Sequence, residues 1–317
     1  MARMHGGVYR NLENARLVAA IDKSDESAEK FGKDFNIPTY SRLEEAIAKH
    51  DIDVVDICLP TYLHCEETIS AAKLGKHVIC EKPMALSVPE AEAMTQACAA
   101  NGVNLFIGHC IRFWPEYVYL KQIIDDNRLG NLLSINLTRY GAFPKWASDG
   151  WAADRKLAGG GVLDMHIHDT DFALFILGKP DEMASYGNVD ARGPSHVFTT
   201  LKFGNTIAHL EGGWNLPSGA PFKMSFRAIF ERGAVIWDAC PLTIYEEGKE
   251  PFQPEFKKMS SEGGGNISDL GGYFHELKYF VDRTLAGLPL ETVTPQSSTQ
   301  SLATVLEEID QIYFHIT

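Results

Sequence analysis

No stretch of the 317-residue chain approaches the roughly 20 consecutive apolar residues of a membrane-spanning helix, so none reads as one. The N-terminal Met1-Ala2-Arg3-Met4-His5-Gly6-Gly7 carries no apolar secretory core, and a cytoplasmic protein is expected. Positive charge is scarce: 29 Lys and Arg face 42 Asp and Glu, for a net charge of -13. The basic face needed to bind nucleic acid or an anionic membrane is therefore missing, and small molecules are the expected partners. Six cysteines contain no Cys-x-x-Cys pair, and several fall in apolar strand or helix patterns, so they read as reduced packing residues. Internal repeats and low-complexity linkers are absent too.

What is present is a regular alternation. Apolar strands at Arg16–Ile21, Asp53–Leu59, His77–Cys80 and Leu105–Ile107 are separated by helices, over Asp25–Phe35 with Ser24 as cap, from the capping box Ser41-Arg42-Leu43-Glu44, over His64–Leu74, and from the capping box Ser87-Val88-Pro89-Glu90. Near-continuous apolar strands with helices between them make a parallel sheet covered on both faces, the doubly wound α/β class that binds dinucleotides at the carboxyl ends of its strands. After Gly108 the pattern changes. A helix opening at Pro115 precedes strands at Leu132–Tyr140, His196–Phe203, Thr206–Trp214, Phe222–Phe230 and Ala234–Trp237, and Gly204-Asn205 forms a tight hairpin turn. These make an open, mainly antiparallel sheet, closed by a helix over Ser297–His315. The domains expected are 1–108 for a dinucleotide and 109–317 for substrate binding and oligomerisation.

Chemistry concentrates in Ala158-Gly159-Gly160-Gly161-Val162-Leu163-Asp164-Met165-His166-Ile167-His168-Asp169-Thr170-Asp171. Three glycines run into an apolar helical period, predicting a loop that opens into a helix from about Val162 to Leu177, packed near the edge of the sheet. Asp164 and His168 stand four apart on one helix face, with Asp171 further along the same side. A carboxylate in that position can fix the imidazole tautomer and raise its basicity, giving a general base. The plainer alternative is that Asp164 caps the helix and His168 packs. His166 and His168, two apart, point in different directions and make poor metal geometry, so no metal is expected.

A second motif, Glu81-Lys82-Pro83, ends the apolar strand His77–Cys80. Followed at this separation by Gly-Gly-Gly-Val-Leu-Asp-x-x-x-His-x-x-Asp, it resembles the Gfo/Idh/MocA family of nicotinamide-dependent sugar and polyol oxidoreductases, along nearly the whole chain. The resemblance implies a catalytic set of Lys82, Asp164 and His168, with His168 as acid/base and Lys82 on the reacting oxygen. It implies NAD as cofactor, with NADP left open, held by Ala2, Arg3, Met4, Asp22, Pro60, Thr61, His64, Glu81 and Lys82. Asp22 closes its strand where a carboxylate clamps a ribose hydroxyl. For the sugar or polyol it implies contacts from Arg112, Tyr140, Trp151 and His166, with Trp146 a further aromatic candidate. His166 departs from the small residue usual there. A homodimer or homotetramer is implied as well. The alternatives are an NAD-dependent glycosidase of the same family and a non-catalytic sugar- or nucleotide-binding regulator.

One further absence bears on the cofactor. A dinucleotide fold begins with a strand and Gly-x-Gly-x-x-Gly, and the chain starts too late to contain it, with Ala2 fitting the third glycine position. The first strand and four loop positions are expected upstream of Met1, and without them the strands at Arg16–Ile21 and Asp53–Leu59 lose their shared neighbour.

Overall fold

The computed structural model describes residues 1–144, 148–238, 240–256 and 271–316. The first part runs α1 (Ala2–Tyr9), β1 (Ala20–Ile21), α2 (Asp25–Phe35), β2 (Thr39–Tyr40), α3 (Leu43–Ile47), β3 (Val54–Ile57), α4 (His64–Lys73), β4 (His77–Glu81), α5 (Val88–Ala100) and β5 (Leu105–Gly108). Local chemistry sets the helix ends. The Ser24 hydroxyl accepts from the Ser27 N–H, Asp25 and Glu26 occupy the first turn of α2, and Asn36 closes it in the left-handed region at φ 54°. At α5 the Ser87 hydroxyl accepts from the Glu90 N–H, while the Glu90 carboxylate accepts from the Leu86 N–H. The box expected at Ser41 does not form: Arg42 takes the cap position without a side-chain bond, and the Ser41 hydroxyl donates to Glu45 instead.

β3, β4 and β5 form a parallel sheet with Ile57 beside Cys80 and Cys80 beside Ile107, while β1 pairs in parallel with β2 in a separate sheet. β1 and β3 thus have no common neighbour, as the pattern of strands implied. Val78, Ile79, Cys80, Phe106 and Ile107 are buried, which is why these strands read as unbroken apolar runs.

The second part contains α6 (Pro115–Asp125), β6 (Leu132–Ala142), α7 (Arg155–Ala158), α8 (Ile167–Leu177), β7 (Glu182–Asp190), β8 (Gly193–Phe203), β9 (Thr206–Leu216), β10 (Lys223–Phe230), β11 (Gly233–Trp237), β12 (Thr243–Glu246), α9 (Gly271–Leu285) and α10 (Pro295–Ile316). Its seven-stranded sheet has the order β12-β11-β10-β6-β9-β8-β7, antiparallel except for the pair β6 and β9. Side chains alternate across it. Ile135, Leu137, Val197, Leu201, Ala208, Leu210, Phe226 and Ala228 line the buried face, and Leu133, Phe198 and Ile207 are exposed.

α8 lies over β6 and β9 in the middle of this sheet and against α10. This corrects the expected place at the sheet edge, and the reason is composition. Apart from its last turn α8 is buried all round, so it needs a neighbour on every side. All six cysteines are free thiols. Among the described residues no helix is long and apolar enough to cross a membrane.

Candidate active site

Lys82 leaves the carboxyl end of β4, the place where parallel α/β sheets expose ligand-binding groups. Its backbone N–H donates to the Glu81 carboxylate (3.1 Å), and its Nζ reaches across to the Asp164 backbone carbonyl (2.8 Å) and carboxylate (3.1 Å). Asp164 sits in a π-helical turn, Val162–His166, which continues directly into α8. The turn is reached through Gly159 and Gly160, both at positive φ. At Gly160, with φ 87°, a Cβ would stand 2.7 Å from the Pro194 carbonyl oxygen. Gly160→Ala is therefore expected to cost on the order of 1–3 kcal/mol, measurable as a lowered midpoint of thermal unfolding; an unchanged midpoint would show that this loop is not held by its glycine.

The π turn alters the expected pairing. Its wider winding interrupts the four-residue stacking of a regular helix, and Asp164 bonds Lys82 and makes no hydrogen bond to His168. His168 is nearly buried, and its Nδ1 has no hydrogen-bond partner. Burial first, then the positive charges of Lys82 and Arg139 and the neighbouring His109, push its pKa well below the ordinary imidazole value. The expectation that Asp164 raises its basicity is thus overturned: His168 is held neutral, and the Asp164 carboxylate is turned to the lysine.

Asp171 makes no hydrogen bond to Asp164 or His168. It is fully buried and clamped by the Arg112 guanidinium, Nε at 2.8 Å and an Nη at 2.6 Å, and it accepts from the Ser301 hydroxyl (2.7 Å). Arg112 also donates to the Thr292 carbonyl (2.6 Å) and Ser297 hydroxyl (3.3 Å), and lies over the Phe175 ring. Its donors are spent on the protein, so Arg112 is a brace and not the expected substrate contact. His166 is corrected likewise: it is fully buried, its Nε2 is 3.2 Å from Glu308, and its ring lies against Gly212. The Thr170 hydroxyl donates to the same carboxylate, so His166 serves the packing of α8 on α10. Tyr140 follows Arg139 in β6 and so points to the opposite face of the sheet, away from α8, with its ring near that of His196. Arg139 points inward, bonded to Asp169 (3.0 Å) and accepted by the Tyr117 hydroxyl (3.3 Å). Trp151 is half-buried in the 3-10 turn Ser148–Ala153. Trp146 lies outside the described residues. His275 is exposed on α9.

The cofactor residues divide into two groups. At α1 the cap residue Met1 offers no side-chain bond, leaving the first-turn backbone donors of Ala2 and Arg3 for an anion, while the Met4 side chain is buried and the Arg3 guanidinium pairs with Asp34. Asp22, just past β1, accepts from the Ser24 N–H through one oxygen. Donors at a helix start and a carboxylate at a strand end are what a pyrophosphate and a ribose require. Thr61 is buried in the 3-10 turn that Pro60 opens, after β3. His64 and Glu81 depart from the expectation. The His64 ring is held between the Pro83 carbonyl (2.8 Å) and the Leu59 carbonyl (2.9 Å), bracing two loops. Glu81 faces inward, its Oε1 3.1 Å from His5 Nε2 in ion-pair range without hydrogen-bond alignment.

That contact opens a buried network which the sequence did not disclose. His5 Nδ1 bonds Asp56 (2.8 Å), and the Tyr9 hydroxyl donates to the same carboxylate (2.7 Å). Burial works to lower the His5 pKa, but Asp56 and its hydrogen bond hold it well above the ordinary value. Across Gly108, Glu276 approaches Glu81. Burial, then the Glu81 charge, pushes the Glu276 carboxyl well above the usual carboxylate range. His109 is the other missed residue. It follows β5, and the register Glu81 to Gly108 puts it beside Lys82. Burial, against the pull of Asp171, lowers its pKa to about 4.

A parallel sheet with a lysine at its carboxyl edge, bonded to a carboxylate from a second sheet-and-helix layer, goes with matches along the chain that make it a nicotinamide-nucleotide oxidoreductase. Residues 1–109 match the oxidoreductase family with the NAD-binding Rossmann fold, and residues 117–236 match the GFO/IDH/MocA C-terminal domain. The chain belongs to the GFO/IDH/MocA family, and its cofactor is NAD(P). It is 30% identical over 259 residues to a 2,7-anhydro-N-acetylneuraminate hydratase of Mediterraneibacter gnavus, covering 77% of this chain and 67% of that one. With an inositol 2-dehydrogenase of Rhizobium meliloti it shares 31% over 182 residues, 56% of this chain and 52% of the relative. An oxidoreductase from Agrobacterium radiobacter, solved with NAD+, L-tartaric acid and magnesium, superposes with a TM-score of 0.86 at 17% identity, covering 98% of this chain and 93% of the other.

Proposed function

We propose that the chain reversibly oxidises a secondary alcohol of a sugar or cyclitol. The observation that carries this reading is the meeting of Lys82, Asp164 and His168 from two layers of the fold. NAD(P) supplies the hydride acceptor when bound, held by the first turn of α1 and by Asp22, within residues 1–108. The rest is proton handling and orientation by residues 109–317 and Lys82. His168, neutral at pH 7, takes the hydroxyl proton; Lys82 binds the reacting oxygen and stabilises negative charge there. Asp164 fixes the lysine, and we assign Trp151 to substrate binding. We place the contact between subunits on the open sheet face, where Tyr186 and Phe198 are exposed.

The test is NADH fluorescence on a panel of inositols, pyranoses and sugar acids. NADH formation on a free polyol supports the reading, and a panel with no NADH formed counts against it. The hydratase relative favours a second reading, since hydration involves no net redox change. A chain that converts an unsaturated or anhydro sugar acid with no net NADH is doing that instead.

The depressed His168 pKa fixes the sign of a pH effect. The neutral ring is the proton acceptor, so protonation abolishes oxidation, and the acid limb of kcat/KM is expected below pH 6.5. A midpoint at or above that value would mean that another group is being titrated.

A further inference from the structure

His109 has no role in the proton path so far described, yet its situation is unusual for a packing residue. It is buried, and neither ring nitrogen makes a hydrogen bond. A buried imidazole with two unmet polar atoms costs stability that a phenyl ring would not. The charged and titratable groups around it are Lys82 and Glu81 from the end of β4, Asp171 and His168 from α8, and Arg112 from the turn after β5. Its Nδ1 is 3.4 Å from the Asp171 carboxylate. Asp171 is three residues beyond His168 on α8, so the two stand on adjacent turns of one helix face, and the ring of His109 faces that stretch of helix. The strand register ends at Glu81 and Gly108, so His109 and Lys82 are the residues that leave the two neighbouring strands.

Resting on the oxidoreductase reading above, we propose that His109 is the second proton carrier of the site, relaying to and from His168. In the oxidation direction the alcohol O–H bond breaks, the hydride leaves for the cofactor and the proton bonds to His168. His168 then gives up that N–H bond as a ring nitrogen of His109 forms one through an intervening water, and His109 releases the proton to water before the next turnover. His168 returns to its neutral form, and Asp171 offsets the positive charge on His109. Reduction runs the same transfers backwards, so no oxidant or reductant beyond the cofactor is needed. The relay has a physical motive: burial and Lys82 disfavour a charge on both rings, but Asp171, although it also pairs with Arg112, stands 3.4 Å from His109 and partly offsets a charge there.

The experiment uses His109→Gln, which keeps a polar side chain but carries no proton at neutral pH, and His109→Phe, which fills the site without polar atoms. In the ¹⁵N-labelled, cofactor-free chain, the exchange rate of the His168 ring N–H with solvent is expected to fall at least about tenfold in both variants, as a missing acid–base partner implies. The thermal midpoint of His109→Phe is expected to equal or exceed that of the parent. With the polyol that gives NADH in the panel, kcat should fall in both variants with KM nearly unchanged. An unchanged exchange rate in folded variants overturns the relay. A lowered midpoint in His109→Phe with unchanged exchange assigns His109 to packing and also overturns it. If no polyol yields NADH, the oxidoreductase reading fails on its own, while the exchange rates still decide the relay.

Discussion

His168→Ala is expected to lower kcat by about 10²- to 10⁴-fold while leaving the affinity for NAD nearly unchanged, because a positioned acid/base contributes on that scale and the cofactor is held elsewhere. The structure sharpens this. His168 is almost buried, its Nδ1 is unpartnered among the described residues, and it carries no hydrogen bond to Asp164, so the substitution removes the proposed proton acceptor without breaking an ion pair. Asp164→Asn acts on Lys82 instead and should raise KM as well as lower kcat. Steady-state kinetics paired with a fluorescence titration of NAD separates the two. Unaltered turnover in folded His168→Ala would remove His168 from the mechanism.

The second large effect is on stability. Arg112→Met should destabilise the fold by about 3–5 kcal/mol, the cost of stripping one partner from a buried ion pair. The guanidinium holds Asp171 by two bonds, ties the start of α10 through Ser297 and covers Phe175. With it gone, a carboxylate at zero exposure keeps only Ser301 and the nearby His109. Denaturant unfolding measures the loss. A variant with unchanged stability and a raised KM would restore Arg112 to substrate binding and refute the brace.

The segments that carry the candidate site were legible because they are written in short local patterns. A strand ending in Glu81-Lys82-Pro83 needs only its own apolar run to be placed at a sheet's carboxyl edge, and three glycines before an apolar period announce a loop entering a helix. Arg112 and Tyr140 misled for different reasons. An arginine beside a predicted cleft looks available until its carboxylate is found 59 positions away. Tyr140 could have been placed from parity alone: Ile135 and Leu137 mark the buried face of β6, so Arg139 turns in and Tyr140 turns out. His109 had a weaker signal, the step by which it follows a strand that pairs with β4.

The sequence alone determined the two layers and the strand and helix order, since those follow from periodicity, caps and turns within a few residues, while the choice of Lys82, Asp164 and His168 came from the family resemblance. The tertiary structure alone decided that Asp164 holds Lys82 and not His168, that His168 is kept neutral, and that Asp171, His166 and Arg112 hold the core together. Desolvation and charge pairing depend on what is packed against a group, and those neighbours come from segments far apart in the chain.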